Sequence, residues 1–120
     1  MKFLIPLKTV SEANKTGEHW TKKHKRHKAQ KHAIDFFMSS EVNESCLPCT
    51  IVMTRIAPRM LDSDDNLPMA FKNLKDYICN LLIPGKKMGR ADADPRIKVE
   101  YAQRKGKPKE YAIEVEIESY

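Results

Sequence analysis

The sequence lacks a long apolar run. The opening apolar stretch, residues 3–7, is too short to cross a membrane, and no small-residue cleavage site of a signal peptide follows it. Internal repeats and low-complexity tracts are also absent from the sequence. We therefore expect a soluble cytoplasmic protein that binds no membrane.

Cysteine is scarce, and three cysteines cannot form a disulfide framework. Cys46 and Cys49 make a C-x-x-C pair, but a structural zinc site needs four ligands and no second pair follows at a suitable spacing. In a thioredoxin-like motif the first cysteine begins a helix, whereas the residues after Cys49 are typical of a strand. We interpret the pair as a coincidence rather than as a metal or redox site.

The chain is short and basic. Its 120 residues suffice for one hydrophobic core but not for two, so we expect a single domain over residues 1–120. Lys and Arg total 22 against 16 Asp and Glu, which gives a formal net charge of +6. This excess favours a polyanionic partner, although charge alone says nothing about the fold.

The positive charge is concentrated near the N-terminus. Residues 20–38 contain no Gly or Pro, which predicts a helix with a cationic N-terminal half and apolar anchors at its C-terminal end. The run is either a solvated helix face or a phosphate-binding surface, and we favour the second because Trp20 is interleaved and few acids lie nearby. The candidate DNA-binding residues here are Lys22, Lys23, Lys25, Arg26 and Lys28. Four histidines lie nearby, but neighbouring lysines would repel a metal ion.

Alternating apolar and polar residues predict four strands, at residues 1–8, 49–57, 97–103 and 111–117. The strand at 49–57 is apolar on both faces and is expected to lie inside the sheet. A second, amphipathic helix is expected over residues 66–82, with Pro68 in its first turn. A basic hairpin loop, 104–110, is predicted to join the last two strands. The order β-α-β-α-β-β indicates an α+β (mixed α/β) domain with two helices and a mixed sheet of about four strands.

An acidic segment, residues 62–65, comes directly before the second predicted helix. Its three carboxylates, Asp62, Asp64 and Asp65, exceed what the helix dipole accounts for, and a divalent cation would relieve their repulsion. Asp92 and Asp94 form a second acidic group. If the two groups converge, their oxygens make a site of the kind that Mg²⁺ or Mn²⁺ prefers.

A calcium-binding EF-hand is excluded for the acidic segment. Leu67 stands where the loop needs a turn glycine, and Asn73 stands where it needs a bidentate glutamate. In a basic chain, a phosphodiester is the natural substrate for a carboxylate-held metal, which polarises the phosphate and activates a water. Further phosphate-binding candidates lie in two basic loops: Lys86, Lys87, Arg90, Lys105 and Lys107.

A set of these residues resembles the RusA-type Holliday junction resolvases. The set is Asp65-Asn66-Leu67, then Lys72-x3-Asp76-x-Ile78, then Asp94 followed by Pro95-Arg96-Ile97. The resemblance implies a homodimeric, Mg²⁺-dependent, structure-selective endonuclease of DNA recombination and repair. Such an enzyme resolves four-way junctions by paired symmetric cuts, and it would be nucleoid-associated. The resemblance makes Asp65 and Asp94 catalytic metal ligands and Lys72 the catalytic lysine.

The sequence departs from the family pattern at two positions. Ser63 stands where the family has its first Asp, so that role passes to Asp62 or Asp64 or is lost. Lys72 follows Asn66 by six residues rather than three, which adds about one helical turn. Two alternatives therefore stay open: a catalytically inactive relative that binds branched DNA, and a basic adaptor protein in which the acids only cap a turn.

Overall fold

A computed structural model describes residues 1–9, 17, 19–61, 66–85 and 91–120, apart from the side chain of Asp92. Within these residues the chain forms four strands: β1 (Lys2–Ile5), β2 (Cys49–Ala57), β3 (Ile97–Lys105) and β4 (Ala112–Ser119). It also forms three α-helices: α1 (Trp20–Met38), α2 (Asn66–Ala70) and α3 (Lys72–Leu82). The predicted α+β class with a four-stranded mixed sheet is confirmed. No helix in the described part of the chain is long and apolar enough to span a membrane.

The strand order in the sheet is β1-β4-β2-β3. β2 runs antiparallel to β4 and parallel to β3, so the predicted position of β2 inside the sheet is confirmed. The predicted hairpin between β3 and β4 is wrong, because β2 lies between these two strands. The connecting chain crosses the end of β2, where the N–H of Gly106 donates to the carbonyl of Ala57 at 2.8 Å.

One face of the sheet forms the core. Side chains alternate along β2 and β4, so Ile51, Met53 and Val115 are fully buried while Glu114 and Glu116 lie on the opposite face and are half-buried. The helices, together with Phe71 between α2 and α3, supply the other half of the core. Their fully buried side chains are Ile34, Met38, Phe71, Leu74, Ile78 and Leu82. The sheet thus buries one face under the helices.

The second predicted helix is interrupted at Phe71, which gives three helices instead of two. Phe71 has φ −102° and ψ 1°, and its N–H bonds the carbonyl of Pro68, an i to i+3 contact tighter than an α-helical turn. The side chain of Phe71 is fully buried and stacks on Tyr101 of β3, with ring centroids 5.9 Å apart. The tighter turn therefore accompanies the docking of this ring onto the sheet.

Candidate nucleic-acid and metal site

Much of the predicted metal site lies outside the described residues. This applies to Asp62, Asp64 and Asp65 and to the side chain of Asp92, so their convergence with Asp94 stays a prediction. It also applies to three of the loop cations, Lys86, Lys87 and Arg90. Among the residues that are described, no group of three or more His, Cys, Asp or Glu is placed to hold a metal ion.

The backbone just before the acidic segment is held by a side chain of β3. The N–H of Leu61 donates to Oε1 of Gln103 at 2.9 Å, and Nε2 of Gln103 donates to the carbonyl of Leu61 at 2.8 Å. The side-chain amide of Gln103 thus pairs with both backbone groups of Leu61, as the backbone of a neighbouring strand would. The sequence shows a polar residue at position 103 but gives no sign of its partner 42 residues away.

Arg55, the β2 residue that pairs with Gln103 in the sheet, contacts the chain two residues before Leu61. This β2 residue is only 8% exposed, and its guanidinium donates to the carbonyl of Arg59 and to the hydroxyl of Thr9. Burial lowers the pKa of Arg55 below its ordinary value, but a guanidinium keeps its charge at any physiological pH. The sequence analysis does not include Arg55 among the site residues, although a charged residue on the same strand face as Ile51 and Met53 is a signal of a buried polar contact.

Asp94 is buried and engaged by a near neighbour. Its Oδ1 accepts from the backbone N–H and the Nε of Arg96, at 2.9 and 3.0 Å, and its Oδ2 accepts from Nη2 of Arg96 at 3.1 Å. The hydrogen bond and the charge of Asp94 raise the pKa of Arg96. A metal ion bound to Asp94 would have to replace at least one of these guanidinium contacts.

Leu61 and Asp94 belong to opposite ends of β3. Leu61 pairs with Gln103, whereas Asp94 comes three residues before Ile97, the first residue of the strand. Gln103 follows Ile97 by six positions along the strand, which at a rise of about 3.3 Å per residue amounts to roughly 20 Å. The chain therefore enters the acidic segment far from Asp94 of the same molecule.

The basic loop lies near the Leu61 end of the sheet, whereas Lys72 follows Phe71, which stacks on Tyr101 in the middle of β3. Lys72 is the exposed first residue of α3. Lys105 ends β3 only two residues after Gln103, and it and Lys107 are exposed. Candidate phosphate-binding groups thus gather where the chain enters the acidic segment.

The basic helix α1 contacts α3 close to Lys72. Nδ2 of Asn73 lies 2.8 Å from Nε2 of His27, which joins the two helices by a hydrogen bond. The lysines predicted to bind DNA on α1 (Lys22, Lys23, Lys25 and Lys28) are exposed, and Arg26 is half-buried. At the start of the helix, Trp20 is 70% exposed and stacks on His19. An exposed flat ring beside cations is the usual surface for an unpaired base.

The C-x-x-C cysteines lie in the core. Cys46 and Cys49 are both buried and free. Burial, with a smaller contribution from Cys46, raises the pKa of the Cys49 thiol, so this group holds its proton more tightly than an exposed cysteine does. Buried thiols of this kind pack as small apolar groups and are chemically inert.

Comparison of the chain with protein-family models, with curated proteins and with solved structures finds no match. Any assignment of function therefore depends on the residues themselves and on their arrangement.

Proposed function

We propose that the protein is a Mg²⁺- or Mn²⁺-dependent DNA endonuclease that resolves four-way junctions as a homodimer. One observation carries the proposal. The chain enters the acidic segment at the same end of the sheet as Lys105 and Lys107, because Gln103 holds Leu61 there. Metal-dependent hydrolysis of a phosphodiester requires carboxylates that bind the metal ion and cations that bind the phosphate beside it.

Each group has a separate role in this proposal. Asp65 and Asp94, with one of Asp62 and Asp64 and with Asp92 beside them, would hold the ion. A bound Mg²⁺ supplies Lewis-acid polarisation of the phosphate and lowers the pKa of the attacking water. Lys72 would stabilise negative charge that develops on the phosphate. The lysines of α1 and of the 104–110 loop would bind backbone phosphates, so affinity should fall steeply with salt.

The separation of Leu61 from Asp94 suggests how the dimer would contribute. Carboxylates that share one Mg²⁺ each lie about 2.1 Å from it, so they must approach closely. With roughly 20 Å of β3 between Ile97 and Gln103, a second copy is the simpler source of Asp94 for the acidic segment. A two-fold dimer would then hold two such sites, which matches two equivalent strands of a junction.

A second function, junction binding without cutting, is favoured by the environment of Asp94. This carboxylate already accepts three hydrogen bonds from Arg96, and Ser63 stands at a family carboxylate position. Such a protein would bind branched DNA in a salt-sensitive manner and leave it intact.

Cleavage of a synthetic four-way junction separates the two functions. Each strand is end-labelled in turn and incubated with the protein and Mg²⁺, Mn²⁺ or EDTA, beside a linear duplex of the same sequence. Resolution predicts two symmetric nicks, in the presence of metal only, with the duplex uncut. Tight, salt-sensitive binding with no nick in either metal would instead identify the binding protein.

A further inference from the structure

An open cavity of about 470 Å³ lies between α1 and α3. Its lining consists of His24, His27, Lys28 and Lys31 from α1 and Tyr77 from α3. The four α1 positions recur three and four residues apart, so they share one face of that helix. The lining side chains are ammonium, imidazole and phenol groups, and the lining contains no carboxylate.

His27 is held in place within this lining. Its Nε2 lies 2.8 Å from the side-chain amide of Asn73 on α3. An amide can donate through its nitrogen or accept through its oxygen, so Asn73 can partner the ring in either protonation state. The cavity wall is therefore organised before any ligand arrives.

The two lysines of the cavity differ in their surroundings. Nζ of Lys31 lies 3.0 Å from Oδ2 of Asp35, a pair in which both side chains are about half exposed. This carboxylate offsets part of the positive potential at Lys31. Lys28 has no carboxylate partner among the described residues, so it contributes the larger share of attraction for an anion.

We propose that this cavity binds one phosphodiester group of the DNA backbone. A tetrahedral oxyanion accepts hydrogen bonds from several directions, and donors on two facing helices can supply such bonds. Lysine is also a common phosphate ligand. The cavity is open to solvent, so a strand can enter and leave while one of its phosphates is held. An anion at the end of a small molecule would not need that opening.

The position of the cavity gives it a place in the proposed reaction, and this part depends on the proposed function. Tyr77 follows Lys72 by five residues, or about 7.5 Å along the axis of α3. The held phosphate would therefore lie near the phosphate that Lys72 contacts, and would help to position the strand.

Two substitutions with opposite expected effects on DNA affinity test the cavity, beside a matched control. Junction binding is measured by fluorescence anisotropy in EDTA, so cleavage plays no part in the readout. Lys28→Gln should weaken binding roughly tenfold, the value of one phosphate contact, and lower the salt slope by about one. Asp35→Asn should strengthen binding about two- to threefold, because Lys31 is released from its exposed ion pair. Lys98→Gln, on exposed β3 surface outside the proposed DNA-binding residues, makes the same charge change and should alter binding less than twofold.

The ligand class is tested with small probes. Dimethyl phosphate, a diester, and inorganic phosphate are titrated while the ring nitrogens of His24 and His27 are observed by NMR. Saturable shifts with dimethyl phosphate that weaken in Lys28→Gln support the proposal. Shifts with inorganic phosphate alone would assign the cavity to a terminal phosphate and overturn it.

Equal losses in Lys28→Gln and Lys98→Gln would also overturn the proposal, because attraction would then depend on net charge alone. These results are independent of the nuclease assignment. Failure of the protein to cut a junction would leave binding in the cavity intact, and an empty cavity would leave cutting intact.

Discussion

Gln103 and Leu61 exchange two hydrogen bonds, at 2.8 and 2.9 Å, between the side-chain amide of one residue and the backbone of the other. The contact is long-range, and it fixes the point at which the chain enters the acidic segment. In the proposed nuclease, Gln103 is a positioning residue, since it would act through the carboxylates that follow Leu61.

Replacement of Gln103 should distinguish its role in positioning the acidic segment from its contribution to the stability of the fold. Gln103→Leu removes both hydrogen bonds at similar volume and should lower the free energy of unfolding by about 1–2 kcal/mol. Junction cleavage should fall at least tenfold while junction binding stays within about twofold. In Gln103→Glu an acceptor for the Leu61 N–H remains, so its cleavage rate should lie between those of Gln103→Leu and wild type. A wild-type cleavage rate in Gln103→Leu would rule out the positioning role.

A buried phenylalanine, Phe71, and an exposed one, Phe36, provide a matched test of the packing of the core. Phe71 is fully buried against Tyr101, so Phe71→Ala should cost about 3–5 kcal/mol in urea unfolding. Phe36 on α1 is 82% exposed, so Phe36→Ala should change stability by less than about 0.5 kcal/mol. Similar costs for the two variants would contradict the described packing of α3 on the sheet.

The buried thiol of Cys49 predicts a loss of stability in alkali. Burial raises the pKa of this thiol in the folded state. Below the ordinary thiol pKa of about 8.5, the thiol is protonated in both the folded and the unfolded chain, so the free energy of unfolding does not depend on its titration there. At higher pH the unfolded chain ionises first, and the free energy of unfolding should fall by up to about 1.4 kcal/mol per pH unit. Urea unfolding between pH 8 and 10 should show a shallower decline in Cys49→Ala; equal slopes would show that the thiol stays out of this titration.

Most local structure was predictable from the sequence, because alternation and helical spacing are local. The boundaries of α1 and β2 are as expected, and β4 alternates Ile113 and Val115 with outward glutamates. Strand pairing depends on distant residues, so the adjacency of β3 and β4 was predicted wrongly. The interruption at Phe71 follows from a tertiary contact with Tyr101 that no local pattern encodes.

The candidate site was only partly predictable, for the same reason. Carboxylates and basic runs are visible as residue types, but their partners are not. The contact of Gln103 with Leu61 and that of His27 with Asn73 join residues more than 40 positions apart. The ion pair of Asp94 with Arg96 is local, because the two residues lie two positions apart in an Asp-Pro-Arg turn, and it could therefore be predicted from the sequence.

Mixed dimers test whether two copies share one site. Asp65→Asn and Asp94→Asn should each abolish nicking alone. If each site takes Asp65 from one copy and Asp94 from the other, a mixed dimer of the two variants has one intact site. Equal mixing makes about half of all dimers mixed, so nicking should recover to roughly a quarter of wild type, without paired resolution. No recovery would place both carboxylates of a site in the same chain.

The most direct test of the proposed function is cleavage of a four-way junction by Asp65→Asn in Mg²⁺. We expect a rate at least about 100-fold below that of wild type, with junction binding equal or tighter because a negative charge near DNA is removed. Undiminished cleavage by Asp65→Asn would contradict the assignment of the acidic segment to metal-dependent hydrolysis.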